Sequence, residues 1–406
     1  MVLTDASSGM PLNAHIELLE DAQGTLTIDD LAAPEQQSRF QPANGRASVG
    51  QSLNPWWIKV TLQRDMRAPA HWVLEVGSVT QLDLQLHQPD GQGGWLVRQA
   101  GERVAFPTTT PFALTDVGSG ALETRDAKAT LFLPPEASAE APVPAVILLH
   151  GAGGVMHDRE LTYGPQLAQQ GVAALAIDSF GARRDLAQGF LQRLMAVTEV
   201  TLLADAFAGL AYLDSLPEVD GDRVALIGFS YGAMASVLAA YEQVSDRFLP
   251  GGPRFAGHVG YYGPCIVRLE DPTTTGAPGL MMWGSGDQIV DAGRCAEVME
   301  DLQAGGSKVE RIVYPGSLHQ WDGGRTTPWR APRNLANCRY LVRPDGTAWD
   351  VSSAIPLVDP TLRQLSLAFC SSDEGYLIGR DDEVRARSNA ALAKFLGRAL
   401  GSKPAL

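Results

Sequence analysis

Positive charge is scarce in this 406-residue chain: 32 Lys and Arg stand against 46 Asp and Glu, a formal net charge of -14. No long basic run relieves the imbalance. Phosphate backbones and anionic lipid surfaces therefore repel the molecule as a whole, and nucleic-acid binding is a poor fit. Long apolar runs are missing too. No stretch approaches the roughly 18 residues that a membrane-spanning helix needs. The opening MVLTDASSGMPLNAH has neither a basic nor an apolar leader region, so no signal peptide is visible. Cysteine is sparse, with Cys265, Cys295, Cys338 and Cys370 alone. None lies in a Cys-x-x-Cys pair, and their spacing fits no zinc pattern, so no metal is called for. They read either as four buried thiols in a cytoplasmic enzyme or as two disulfides in an exported one. The simplest pairing joins Cys265 to Cys295 and Cys338 to Cys370. Each bond would close a loop of about 30 residues, for up to ~3.5 kcal/mol in the chain-entropy model.

What is present is a globular composition, 45% hydrophobic and 19% charged, on a chain long enough for two domains. Residues 15–106 carry short period-two runs separated by Gly, Pro, Asn and Asp. Among them are His15–Leu19, Thr25–Ile28, Trp57–Leu62, Trp72–Val76, Leu82–Leu86 and Trp95–Arg98. Such runs predict an antiparallel sandwich. A tail covers 1–14 and a linker covers 107–126. From 127 to 402 the rhythm becomes strand, helix, strand, with continuous apolar strands at Ala145–Leu149, Val172–Ile177 and Val224–Ile227. Continuous apolar strands alternating with helices predict an α/β fold around a parallel sheet. Helices are expected at Leu161–Gln170, Gln188–Leu216, Ala233–Tyr241 and Asp381–Leu400.

Gly228-Phe229-Ser230-Tyr231-Gly232 is a weak motif alone, but an apolar strand precedes it and a small-residue helix follows it. That context is a nucleophile elbow, which lifts a serine hydroxyl above the sheet. A serine needs a base, and this fold orders its groups as serine, acid, histidine. Only His258 and His319 follow Ser230. His258 sits inside an expected strand and suits a core role; His319 sits in a loop after Arg311–Tyr314 and is the candidate base. Asp287, at the mouth of the loop after Leu280–Trp283, is the candidate acid. Asp291 is the alternative, weighed against an N-cap role. The oxyanion hole would use the backbone N–H groups of Tyr231 and Ala152, the latter in His150-Gly151-Ala152-Gly153-Gly154. No Lys-Ser/Thr follows those glycines, which argues against a phosphate cradle.

These segments resemble the dienelactone hydrolase family, especially its exported members. The likeness rests on LFLPPEA, PAVILLHGAGG, LAQQGVAALAIDSFG, DRVALIGFSYGAMA, PGLMMWGSGDQIVDAGRC, VYPGSLHQWD and GYLIGRDDEVRARSNAALAKFL, in that order. It implies an α/β-hydrolase fold, a triad of Ser230, Asp287 and His319, hydrolysis of a small-molecule ester or lactone, and no cofactor. It also implies paired cysteines and a periplasmic or secreted location, against the cytoplasmic alternative. The founding members use a cysteine held in check by a glutamate, where this chain has Ser230 and Gly151. The departure points to a general carboxylic-ester hydrolase rather than one for dienelactone. Arg183 is a candidate for a substrate carboxylate, weighed against an ordinary surface arginine, and Trp321 is a candidate substrate contact. A peptidase with the same triad, or a sensing protein with a relic hydrolase domain, are the competing readings. The segment 15–106 resembles the extracellular sensor domain of bacterial seven-transmembrane receptors with diverse intracellular signalling modules. The cues are LLEDAQGTLTIDDL, WWIKVTL, WVLEVGSVTQLDLQL and AGERVAF. That resemblance implies a jelly roll. Trp56 and Trp57 could there present an aromatic face to a carbohydrate or other ligand, or serve the core.

Overall fold

Eight strands build one sheet in the larger of two units of this computed structural model, which describes residues 2–3, 14–22, 25–44, 56–64, 85–89, 95–99, 101–186 and 190–401. One unit comprises 1–79 with 87–97, the other 80–86 with 98–406. The eight strands are β1 (Glu102–Thr108), β2 (Arg125–Phe132), β3 (Val143–Leu149), β4 (Ala173–Ile177), β5 (Val219–Phe229), β6 (Gly257–Tyr261), β7 (Gly279–Gly284) and β8 (Val309–Tyr314). Their order across the sheet is β1-β2-β4-β3-β5-β6-β7-β8. β2 runs antiparallel to both neighbours, and every pair from β4 through β3 to β8 is parallel.

The sequence explains which strands lie inside. Every residue of β3, β4, β6 and β7 is buried, whereas edge strand β8 exposes Glu310, Arg311 and Val313. Around the sheet run α1 (Glu160–Gln169), α2 (Phe190–Ala196), α3 (Glu199–Asp214), α4 (Tyr231–Leu238), α5 (Ala292–Ala304), α6 (Pro360–Cys370) and α7 (Asp382–Ala399). The segment expected as one helix over 188–216 is two, because Thr198 caps α3 by accepting from the Thr201 N–H. Chain order reverses where β3 lies between β4 and β5, and a crevice opens beyond the strand ends at such a switch point. Register sets Leu149 opposite Gly228, so the loop after β3 and the turn at Ser230 leave the sheet side by side.

β1, expected in the β-sandwich and linker, pairs along its whole length with β2 at the edge of the eight-stranded sheet. Period-two alternation reports which face is buried, not which sheet the strand joins.

In the smaller unit, Ile16–Glu20 pairs antiparallel with Gln41–Pro42 and with Trp56–Val60. A two-stranded sheet joins Gln85–Pro89 to Trp95–Gln99. Thr25–Ile28 is not a strand. Thr27 caps a helix over Ile28–Ala32, accepting from the Asp30 N–H while the Asp30 carboxylate accepts from the Thr27 N–H. That reciprocal cap is legible in Thr27-Ile28-Asp29-Asp30 and outweighs the alternation. Trp56 and Trp57 do not share a face, since consecutive strand residues point to opposite sides. Trp57 packs on the Leu19–Leu31–Phe40 cluster. The expected strands at Trp72–Val76 and Leu82–Leu86 lie outside the described residues, apart from Gln85 and Leu86.

Both expected disulfides are present. Cys265–Cys295 ties the segment after β6 to α5, and Cys338–Cys370 ties the end of α6 to the segment before the strand Tyr340–Val342.

His258 is buried on β6, and neither ring nitrogen has a hydrogen-bond partner among the described residues. Burial pushes its pKa down to about 4, because a charged imidazole there would lose its water. The neutral ring is therefore the one that fits. The contribution of this group to stability should be full above the ordinary histidine value near 6.5 and should decline as pH falls toward 4, by on the order of 3 kcal/mol. His258→Leu should flatten the urea-midpoint profile between pH 7 and 4.5. An unchanged acid slope would show that the sensitivity lies elsewhere.

Candidate active site

At the end of β5 the chain turns so sharply that Ser230 takes φ 53° and ψ -108°, a backbone region that residues other than glycine seldom enter. Two glycines permit the turn. A Cβ on Gly228 would lie 2.0 Å from the Gly232 carbonyl oxygen, and one on Gly232 would lie 2.4 Å from that of Leu149. Strand and helix thus nearly touch. The Ser230 N–H donates to the Tyr261 carbonyl at 2.9 Å, which ties the elbow to β6.

His319 and Asp287 reach Ser230 from two other strand-end loops. His319 Nε2 lies 2.8 Å from Ser230 Oγ, and His319 Nδ1 lies 2.7 Å from Asp287 Oδ2. The second Asp287 oxygen accepts from the Ile289 N–H at 3.1 Å, which orients the carboxylate. His319 is fully buried and packed edge-on between the Tyr262 ring at 4.8 Å and the Tyr376 ring at 5.1 Å. Its backbone is held as well: its N–H donates to the Leu377 carbonyl, and its carbonyl accepts from the Gly379 N–H. Such an arrangement can pass a proton from the hydroxyl to the imidazole while the carboxylate steadies the developing charge.

The loop His150–Gly154 borders the elbow. A Cβ on Gly151 would sit 3.2 Å from the Phe229 carbonyl oxygen and 3.4 Å from the Ser230 Cβ, so this loop lies directly against the elbow. Tyr231 opens α4, and its amide has no carbonyl one turn back to bond. Ala152 is partly exposed in the neighbouring loop.

Three candidates fall elsewhere. Arg183 is neither exposed nor available to substrate. It is fully buried, with Nη1 and Nη2 donating to the two Asp205 oxygens at 2.7 and 2.8 Å. Its remaining donors meet the Ser179 and Thr109 carbonyls and Thr110 Oγ1. Trp321 is a core residue, stacked edge-on against Tyr262 and Tyr314 and donating to Ser388 Oγ at 3.1 Å. Asp291 caps α5 and pairs with Arg339, and does not join the cluster at His319.

Two buried polar groups went unforeseen. Beneath His319, the Tyr262 hydroxyl donates to Asp322 at 2.5 Å, while Arg159 pairs with Glu160 at 2.7 Å and approaches the same hydroxyl. Burial pushes the Asp322 carboxyl up, against the pull of Arg159. On the other side, Arg363 of α6 makes two bonds to Glu199, and the Tyr231 hydroxyl shares that carboxylate. Burial works to raise the Glu199 pKa, yet the Arg363 charge brings it below the ordinary range. Apart from the neighbours Arg159 and Glu160, the partners lie 60 or more residues apart or, for Tyr231 and Glu199, 32 apart, so no local spacing announces either group.

Residues 128–326 match the model of the dienelactone hydrolase family, and residues 13–133 match that of 7TMR-DISM extracellular 2. A Bradyrhizobium protein named as a 2-oxo-3-(5-oxofuran-2-ylidene)propanoate lactonase is 25% identical over 194 residues, covering 44% of this chain and 73% of its own length. Acyl-coenzyme A thioesterase 1 of Mus musculus is 31% identical over 243 residues, covering 58% of this chain and 50% of the relative. The chain thus spans about half the length of that relative. Among solved structures, a dienelactone hydrolase-like promiscuous phosphotriesterase from metagenomic libraries shares 19% identity over 54% of this chain and 84% of its own, with a TM-score of 0.39.

Proposed function

We propose, from the premise that residues 128–326 form a dienelactone hydrolase family domain, that the protein is a serine hydrolase of carboxylic esters, lactones or thioesters. One observation carries the reading: the continuous chain of short contacts from Ser230 Oγ through His319 to Asp287. Ser230 Oγ bonds to the substrate carbonyl carbon as its proton passes to His319 Nε2. The oxyanion is held by the Tyr231 and Ala152 main-chain N–H groups. His319 then protonates the departing alkoxide or thiolate, leaving an acyl-enzyme. Water, deprotonated by the same nitrogen, attacks the acyl carbon, and the carboxylic acid leaves as Ser230 regains its proton.

A fluorophosphonate probe with peptide mapping tests the assignment. Stoichiometric labelling of Ser230, with turnover of p-nitrophenyl acetate, supports it; labelling elsewhere or none in folded protein overturns it. Parallel assays with an acyl thioester and an aminoacyl anilide separate the substrate classes, and the likeness to a thioesterase supports including the first. The extracellular-type match at 13–133 and the two disulfides support an exported, periplasmic protein.

A further inference from the structure

The segment between His319 and α7 runs past the end of the family match at 326, and it reaches the residue beside Ser230. Arg363, on the first turns of α6, is only 7% exposed. Its Nη1 lies 3.2 Å from Glu199 Oε1, and its Nη2 lies 2.8 Å from Glu199 Oε2 and 3.4 Å from the Tyr231 hydroxyl. That hydroxyl has one proton to donate, and its two acceptors within reach are Glu199 Oε2 at 3.2 Å and the Val197 carbonyl at 3.1 Å. Three elements therefore meet on one tyrosine ring: α6, the start of α3 and the start of α4. Both ends of α6 are anchored. Asp359 caps it through the Thr361 and Leu362 N–H groups, and Cys370 is bonded to Cys338.

The location matters more than the pair itself. A buried ion pair adds little net stability over apolar side chains of like size. Tyr231, however, follows a serine held at φ 53°, and its amide is one of the two proposed oxyanion donors. Misplacing such a group by about 1 Å can cost 10²-fold in rate. We infer that Arg363 is a positioning residue, which through Glu199 fixes the Tyr231 ring and so aims the Tyr231 N–H at the developing oxyanion. The inference rests on the serine-hydrolase reading.

The test measures kcat and KM for p-nitrophenyl acetate, and the second-order rate of Ser230 phosphonylation, each scaled to folded protein from thermal melts. The variants are Arg363→Met, the apolar pair Arg363→Met with Glu199→Leu, Arg363→Lys, and Tyr231→Phe. In the apolar pair, kcat and phosphonylation should fall together by about 10- to 100-fold while KM stays within about 2-fold. Arg363→Lys should recover part of the loss. An apolar pair that melts like wild type and keeps both rates within about 2-fold would overturn the inference and leave Arg363 a structural group. Should Arg363→Met or the apolar pair fail to fold, Tyr231→Phe decides, since it keeps the ion pair and removes one hydroxyl: lowered rates support the inference, and wild-type rates end it. Wild-type protein that the probe never labels sinks the serine reading itself, and this inference with it.

Discussion

Ester turnover by Ser230→Ala should fall by roughly 10⁴- to 10⁶-fold in kcat, to the residual rate that substrate binding and oxyanion donors supply unaided. The substitution removes one oxygen and keeps the Cβ, so nothing in the elbow has to move. His319 loses its 2.8 Å contact to the hydroxyl but keeps Asp287, both rings beside it and both backbone bonds. The melting temperature should therefore change by only a few degrees. Turnover within a few-fold of wild type, in protein shown to be free of wild-type carry-over, would sink the assignment of Ser230 as nucleophile.

A loss of folding, rather than of chemistry alone, is expected from Gly228→Ala. The added methyl would stand 2.0 Å from the Gly232 oxygen and 2.5 Å from the Ala233 nitrogen. Both are backbone atoms, so no side-chain rotation can relieve the clash, and β5 and α4 would have to part. The expected cost exceeds about 4 kcal/mol, a large share of an ordinary domain's stability. Gly153→Ala is the control, because nothing lies within 4 Å of the Cβ it would add. Its stability should stay within about 0.5 kcal/mol of wild type. Urea unfolding of the two variants compares them directly. Equal midpoints would mean that the close approach of β5 and α4 is not what requires glycine at 228.

How much of this was legible follows from the range over which each feature is determined. The elbow is a local pattern, a buried strand followed at once by small residues. Chain order and strand-end loops then single out His319 and Asp287, and the structure brings both to Ser230. The helix cap at Thr27–Asp30 is equally local, and it outweighs the alternation of the same residues. The burial of Arg183 is not legible locally, because its environment is made by Asp205 on α3 and by Thr109 and Thr110, 22 to 74 residues away in the chain. A position after a strand looked like a site, and tertiary packing had already used every donor. Trp321 lies two residues from His319 in the chain, yet its ring is taken up in the core against Tyr262 and Tyr314. Arg363 is the extreme case. On α6 it reads as one charge on an amphipathic helix, and Glu199 lies 164 residues earlier.

The hydrogen bonds between the His319 backbone and Leu377 and Gly379 also govern when the site can exist. Ser230, Asp287 and His319 all precede Leu377 and Gly379, the residues that grip the histidine, in the chain. A chain ending before Gly379 carries the three side chains without the clamp that presents the imidazole. The length of chain needed to hold the imidazole is thus longer than the length needed to carry the three side chains.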